Sequence, residues 1–476
     1  MKEFFRSWWG WTLVTLFVLI VGTAAWIRLD VAPPEDADLL VARREVPAER
    51  NGFVMLGLAD GDTVVRDPLS FFWDFGEDGE GESDLPFTRE EVDAAKKMAL
   101  GRNWNETIAN WMLTENRGVL ATFREALDAP EFHVTEEAIE DTIYTKMQSV
   151  ARLVGIKAHS EARAGRVGEA VDWILYLRRF AEKYRAAGLY GLYFSSACSI
   201  ESGFGIGNLL MILNTYEVPD AVLVRIARNV PAKTRSAESA IAAFRFEYAR
   251  YRKMVDAGVC FDFLVEDLTW REDFGYRPYE TLTEIARESR KAIRALEARD
   301  GSNPMSGFEP TTRLSAFNDL GRSMLEVFAE NEWLIDMALM VEIEYRLAAV
   351  LFAAERYRRK YGVLPKKLTD LVPEFLDGVP RDPYSPKDPL RLRDDGVVYS
   401  VGDDGIDHGG RQRRSVARAE AAAVAAADDK AVGDEEDWDE DGHGHDHEEP
   451  LEDWEVYVDD DWSLELFLPK EEKAEK

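Results

Sequence analysis

The chain has 476 residues, 46% of them hydrophobic and 11% aromatic, which suffices for a large buried core and excludes a wholly disordered protein. Its formal net charge is -32, from 90 acidic against 58 basic side chains, a field that repels nucleic-acid phosphates and excludes a nucleic-acid partner. Two cysteines, Cys198 and Cys260, are too few for a disulfide framework or a cysteine-based zinc site; they are either two buried thiols or a single bridge formed in an oxidising compartment.

Residues 1–7 carry Lys2 and Arg6 and precede an uncharged run from Trp8 to Ile27, so a transmembrane helix is assigned to residues 8–29. Asp30, Glu35, Asp36 and Asp38 follow it, and the basic bias puts the N-terminus in the cytoplasm and the rest of the chain outside. The expected location is a bacterial inner membrane, single-pass, with a periplasmic main domain. Gly22-Thr23-Ala24-Ala25 offers the competing reading, a cleavable signal.

Pro33 and Pro34 stop the helix, and residues 30–87 read as irregular, with an aromatic cluster at Phe71, Phe72, Trp73 and Phe75 and an acidic linker from Gly76 to Glu82. Thr88-Arg89-Glu90-Glu91 has the spacing of a capping box and opens a helical domain over 88–354, an irregular bundle. With the helix continuing to Tyr361, eight to ten helices are expected, broken near Asp128-Ala129-Pro130, Val218-Pro219, Val230-Pro231 and Gly301 to Pro310. Gly203-Phe204-Gly205-Ile206-Gly207 lacks the strand context of a dinucleotide-binding turn and reads as a close helix contact or hinge. Before Tyr361, Met340, Ile343, Leu347, Val350, Leu351, Ala354 and Tyr357 form one apolar stripe, with Glu342, Arg346, Glu355, Arg356 and Arg358 mostly away from it. Gly362 suits the left-handed residue that ends this helix.

Residues 355–410 carry Glu355-Arg356-Tyr357, Tyr361-Gly362, Leu364-Pro365, Leu371-Val372-Pro373, Val379-Pro380-Arg381-Asp382-Pro383 and Tyr399 to Gly410. In that order and spacing they resemble the C-terminal module of the type II secretion major pseudopilin family. The resemblance implies a small α+β module, and two short strands near Leu390 to Arg393 and Val397 to Val401 flank the turn Asp394-Asp395-Gly396. Gly10-Trp11-Thr12-Leu13-Val14-Thr15 has the outline of a prepilin processing site with Thr15 in place of the usual Glu. Residues 411–457 read as an acidic low-complexity insertion, 458–469 as a final strand and 470–476 as a charged tail. About half of the chain's acidic surplus lies from Arg411 onward.

No cofactor is required by any motif. Asp403, Asp404 and Asp407 place three carboxylates in five residues, a candidate calcium loop, although Asp-Gly turns stand without an ion. Related pseudopilin modules bind calcium in loops here, which the resemblance extends to these residues. His443, His445 and His447 lie among acidic residues and could bind a transition metal weakly, against the simpler account of a solvated acidic run. No catalytic motif is present. The chain therefore reads as mainly α, with a single N-terminal transmembrane helix, an irregular helical bundle and a small α+β C-terminal module. Its expected role is an extracytoplasmic binding or scaffold protein with a protein partner. The alternatives are an accessory component of a type II secretion or pilus-like machine, and an envelope hydrolase.

Overall fold

The computed structural model describes residues 8–27, 29–41, 46–57, 65–69, 86–133, 142–186, 191–257, 276–298, 314–315, 318–393, 396–402, 407, 409 and 463–465. Helix α1 spans Trp8–Ile27, and most of its described bulky side chains, among them Trp11, Leu13, Leu16, Phe17 and Leu19, are exposed. After the short helix α2 (Gly52–Met55), the bundle begins at α3 (Arg89–Ala95). There the Thr88 hydroxyl accepts the Glu91 amide and the Glu91 carboxylate accepts the Thr88 amide, the reciprocal arrangement that fixes a helix start.

Along the chain follow α4 (Glu106–Glu115), α5 (Arg117–Asp128), α6 (Thr142–Arg163), α7 (Val167–Arg185) and α8 (Gly191–Ser199). A π-helical turn, Ile200–Gly207, leads without a break into α9 (Asn208–Thr215). The remaining helices are α10 (Asp220–Asn229), α11 (Ser236–Ala257), α12 (Pro278–Ala298), α13 (Asp319–Ala329) and α14 (Trp333–Tyr361). From α3 to α14 there are twelve α-helices among the described residues, more than the eight to ten expected. The π turn divides one continuous run into α8 and α9, and Asn116 divides α4 from α5 with no proline at the break and Gly118 already inside α5.

The chain is thus mainly helical, and its longest helix is the structural axis. A single main core runs through the bundle and meets α14, against which α8, the π turn, α10 and α11 pack, through Leu334, Ile335, Ala338, Val341, Tyr345, Ala348 and Phe352. The other face of α14, Ile343, Leu347, Val350, Leu351 and Ala354, joins Leu368, Leu371, Leu390 and Val398 in a second, smaller core. A helix between two cores has no wholly solvated side, so the single stripe read from sequence is too narrow: Glu342 and Glu355 are buried as well. Arg346 neutralises Glu342, and Arg358 and Arg359 reach Glu355 at 2.7 and 2.8 Å. The helix also runs through residue 355 unbroken, and the smaller core draws on residues upstream of it.

Gly362 ends α14 in the left-handed region at φ 74°, its amide donating to the Arg358 carbonyl. Beyond it, a single 3-10 turn, Leu368–Leu371, buries both leucines. Strands β1 (Arg391–Leu392), β2 (Val397–Tyr399) and β3 (Ser463–Glu465) form an antiparallel sheet in the order β1-β2-β3. Arg391 lies opposite Tyr399, and Val398 opposite Leu464.

One helical run among the described residues, Phe194–Thr215, is long and apolar enough to cross a membrane by length and composition. The same stretch is 61% buried inside the fold.

Candidate functional site

Among the described residues, two groups of charged side chains bind distant parts of the chain together. The first lies where the π turn crosses α7 and α14. A π turn closes hydrogen bonds five residues apart and adds a residue to the helical register, a device frequent at functional sites. Here it sets the consecutive side chains of Glu201 and Ser202 toward α14. Tyr345 Oη donates to Glu201 Oε1 at 2.6 Å, and Arg178 Nη1 donates to Tyr345 Oη at 2.9 Å. Arg185, only 1% exposed, brings Nη2 to 2.9 Å from Glu201 Oε2, close enough for an ion pair although its angle is not that of a hydrogen bond. Ser202 Oγ donates to Glu344 Oε1 at 2.5 Å.

Among the described residues, no cation stands against Glu344. Burial first, then the nearby Glu201 charge, pushes its carboxyl up to about 7, opposed only by the Ser202 hydroxyl. Cys198 is fully buried, and burial pushes its thiol up, opposite to the shift that activates a nucleophile. Arg185 Nε and Nη1 and Glu344 Oε2 have no hydrogen-bond partner among the described residues. The arrangement can hold a proton near neutral pH and tie three helical elements together. It offers no activated serine or thiol.

The second place is the strap that follows α1. Asp30 accepts the backbone amides of Tyr279 and Glu280 at 2.8 and 2.9 Å, so a carboxylate from the start of the chain caps α12, some 250 residues away. Asp36 is buried and accepts from Tyr248 Oη at 2.5 Å and Arg252 Nη1 at 2.7 Å, both on α11. Asp38 takes a two-pronged contact from Arg290 of α12 at 2.9 and 2.7 Å, which holds its carboxyl below the usual range. Leu39 is 1% exposed and belongs to the main core. No family model matches this chain, and no curated protein or solved structure matches it.

The residues singled out from sequence fare unevenly. Asp403, Asp404, Cys260, His443, His445 and His447 lie outside the described residues, as do Phe71, Phe72, Trp73 and Phe75. Asp407 is occupied locally: Oδ1 accepts from Tyr399 Oη at 3.2 Å and the Gly409 amide at 2.8 Å, while Oδ2 sits 3.1 Å from Arg391 Nε. Among the described residues no three His, Cys, Asp or Glu side chains converge in a metal-binding group. The glycine cluster is neither a close helix contact nor a dinucleotide turn. A Cβ at Gly203 would meet open space, and one at Gly205 would make only ordinary contact with Arg178 and the Ile200 carbonyl. Its three glycines weaken α-helical preference where the π turn forms.

Sequence reasoning missed the strap, because Asp30, Asp36 and Asp38 served only to orient a membrane helix. It also missed Asp382, which is fully buried and accepts from Ser400 Oγ at 2.6 Å and the amides of Val401 and Tyr384 at 3.0 Å each. The proline corner of the module is built around that one carboxylate. A groove of about 210 Å³ separates the corner from the bundle, lined by Ile335, Ala338, Leu339, Arg346, Arg381 and Pro383. None of its lining residues belongs to the Glu201–Glu344 cluster.

Proposed function

We propose that this chain is a membrane-anchored binding or scaffold protein, with α1 crossing the bilayer and the helical domain outside the cytoplasm. The observation that carries the reading is the pairing of an exposed apolar α1 with a rigidly docked strap. At 1.5 Å per residue the 20 residues of α1 reach about 30 Å, the thickness of a hydrocarbon core. Among the described residues Phe194–Thr215 is the run long and apolar enough to cross a membrane, with Trp11–Thr23 of α1 a shorter apolar run, but Phe194–Thr215 lies in the core and carries Glu201 against Arg185, which suits a packed interior. Lys2 and Arg6 before α1, against Arg28 alone in residues 28–42 after it, favour a cytoplasmic N-terminus. Asp30 lies three residues beyond α1 and already grips α12, so the domain is held within about 10 Å of the membrane helix, as a scaffold needs.

Intact-mass analysis of the native protein from carbonate-washed membranes tests this reading. A full-length chain that resists extraction is expected. A soluble chain beginning near Ala25 or Trp26 would show that α1 is a removed signal and would overturn the anchor.

One observation favours a second reading, an accessory role in a type II secretion or pilus-like machine. The antiparallel sheet packed on the end of α14 suits the pseudopilin-like resemblance of residues 355–410. A mature chain beginning at Trp11 would favour it over the plain scaffold.

A further inference from the structure

We infer that the strap and the adjoining face of α12 form a second membrane contact, so that the domain lies on the bilayer surface with α12 near-parallel to it. The inference rests on α1 being the anchor and adds an orientation to that reading. Beyond α1, bulky apolar side chains that stand exposed are concentrated in the strap: Leu29 at 64%, Val31 at 46%, Leu40 at 46% and Val41 at 47%. Among the described residues only Tyr361 and Val363 share that class elsewhere. The strap itself is fixed, not trailing, because Asp30 holds the first turn of α12 and Asp38 holds Arg290. Eleven helical residues separate Tyr279 from Arg290, about 16 Å along the axis, so the four apolar side chains sit as two pairs toward the two ends of that span.

Cations stand beside them on α12. Arg287, Arg290, Lys291 and Arg294 recur at helical spacing on one face of α12, with Arg287 and Arg294 exposed and the other two half-buried. Glu284, Glu288 and Asp38 pair with three of them, so the face is laced with ion pairs, and Arg287 and Arg294 are its exposed cations beside a strap that itself carries Asp30, Glu35, Asp36 and Asp38. Apolar side chains flanked by Arg and Lys are what an interfacial segment presents, the apolar part entering the headgroup layer and the cations meeting phosphate. A bilayer is the occupant that fits, since the strap begins two residues after α1 and the helix brings lipid to it.

The test uses the full chain in nanodiscs of phosphatidylcholine and phosphatidylglycerol, with Cys260→Ser and the buried Cys198 left in place. A nitroxide is introduced by Leu40→Cys and compared with the same label at Phe17→Cys and Val363→Cys. Collisions with oxygen should exceed those with a water-soluble nickel chelate at positions 17 and 40, with the order reversed at 363. Lipid exposure at 17 with water exposure at 40 overturns this inference and leaves the anchor standing. Water exposure at 17 overturns the anchor as well. Protection of 40 from both reagents would mean that protein covers the strap, and also overturns it. Arg287→Glu with Arg294→Glu, in a chain of unchanged helicity by circular dichroism, should raise nickel collisions several-fold at 40 alone, and pure phosphatidylcholine should act in the same direction. No change in either case would overturn the part assigned to the basic face.

Discussion

Glu344 and His159 are buried titratable side chains whose environments oppose their charged forms. For Glu344 the folded carboxyl is raised from an ordinary 4.5 to about 7 by burial and by Glu201. The native state therefore binds more protons than the unfolded chain between those values, and stability falls as pH rises through that window. The full loss is about 3 kcal/mol above pH 7, from 1.36 kcal/mol per unit. Glu344→Gln keeps an acceptor for Ser202 and cannot ionise, so its urea midpoint should match the parent near pH 4.5 and exceed it at pH 8. Equal midpoints at both pH values would show that Glu344 is charged in the fold. His159 lies the other way: burial lowers its imidazole, helped by Arg163 and opposed by the Asn208 bond at 2.8 Å. It contributes stability that is present above its ordinary value of 6.5 and is lost as pH falls below it.

Asp382 shows how a residue can stand out in sequence while its role does not. The run Val379-Pro380-Arg381-Asp382-Pro383 stands out in the sequence, but the acceptor role of Asp382 depends on Ser400 and Val401, some twenty residues away, which no spacing rule links to it. Asp382→Ala would strand three donors, two of them buried, as well as Arg391, for about 3–5 kcal/mol. Asp382→Asn, which retains one acceptor oxygen, should lose less. A matched loss in the two variants, measured by denaturant unfolding, would assign the effect to charge and not to hydrogen bonding.

At the scale of elements, local chemistry was legible and long-range chemistry was not. The Thr88–Glu91 box, the stop at Gly362 and the breaks at Pro219 and Pro231 are each written within a few residues, and each is observed. By contrast, the cap of α12 comes from Asp30, and a sequence window of any practical width misses it. The π turn escaped for a different reason, since its apolar periodicity continues into α9 while its hydrogen bonds shift by one residue. Two glycines separate conformation from space. At Gly362 a Cβ would meet nothing within 4 Å, so Gly362→Ala should cost only the left-handed conformation, about 1–2 kcal/mol. At Gly321 the Cβ would come within 2.2 Å of Thr281 Oγ1 and 2.5 Å of both Asn318 side-chain termini, where α13 meets α12. Gly321→Ala should therefore destabilise by more than Gly362→Ala in thermal unfolding, and the reverse order would mean that α13 moves aside freely.

For the whole molecule, the decisive feature is that α14 serves two cores at once. Leu351 and Phe352 are adjacent in sequence, yet Leu351 packs with Leu368, Leu390 and Val398 while Phe352 packs in the main bundle. A stable helix between them transmits the loss of either core to the other, because Ile343 to Ala354 cannot unfold without withdrawing Tyr345 from Glu201 and Arg178. By packing, the C-terminal module with the smaller core is an extension of the bundle through α14. Bundle and module should then melt in one transition, with calorimetric and van't Hoff enthalpies in agreement. Leu351→Ala, worth about 2–5 kcal/mol for a buried leucine, should lower that single midpoint as Phe352→Ala does. If Leu351→Ala instead split off an early transition while the bundle melted at its parental temperature, the module would be an independent domain and α14 only the linker that carries it.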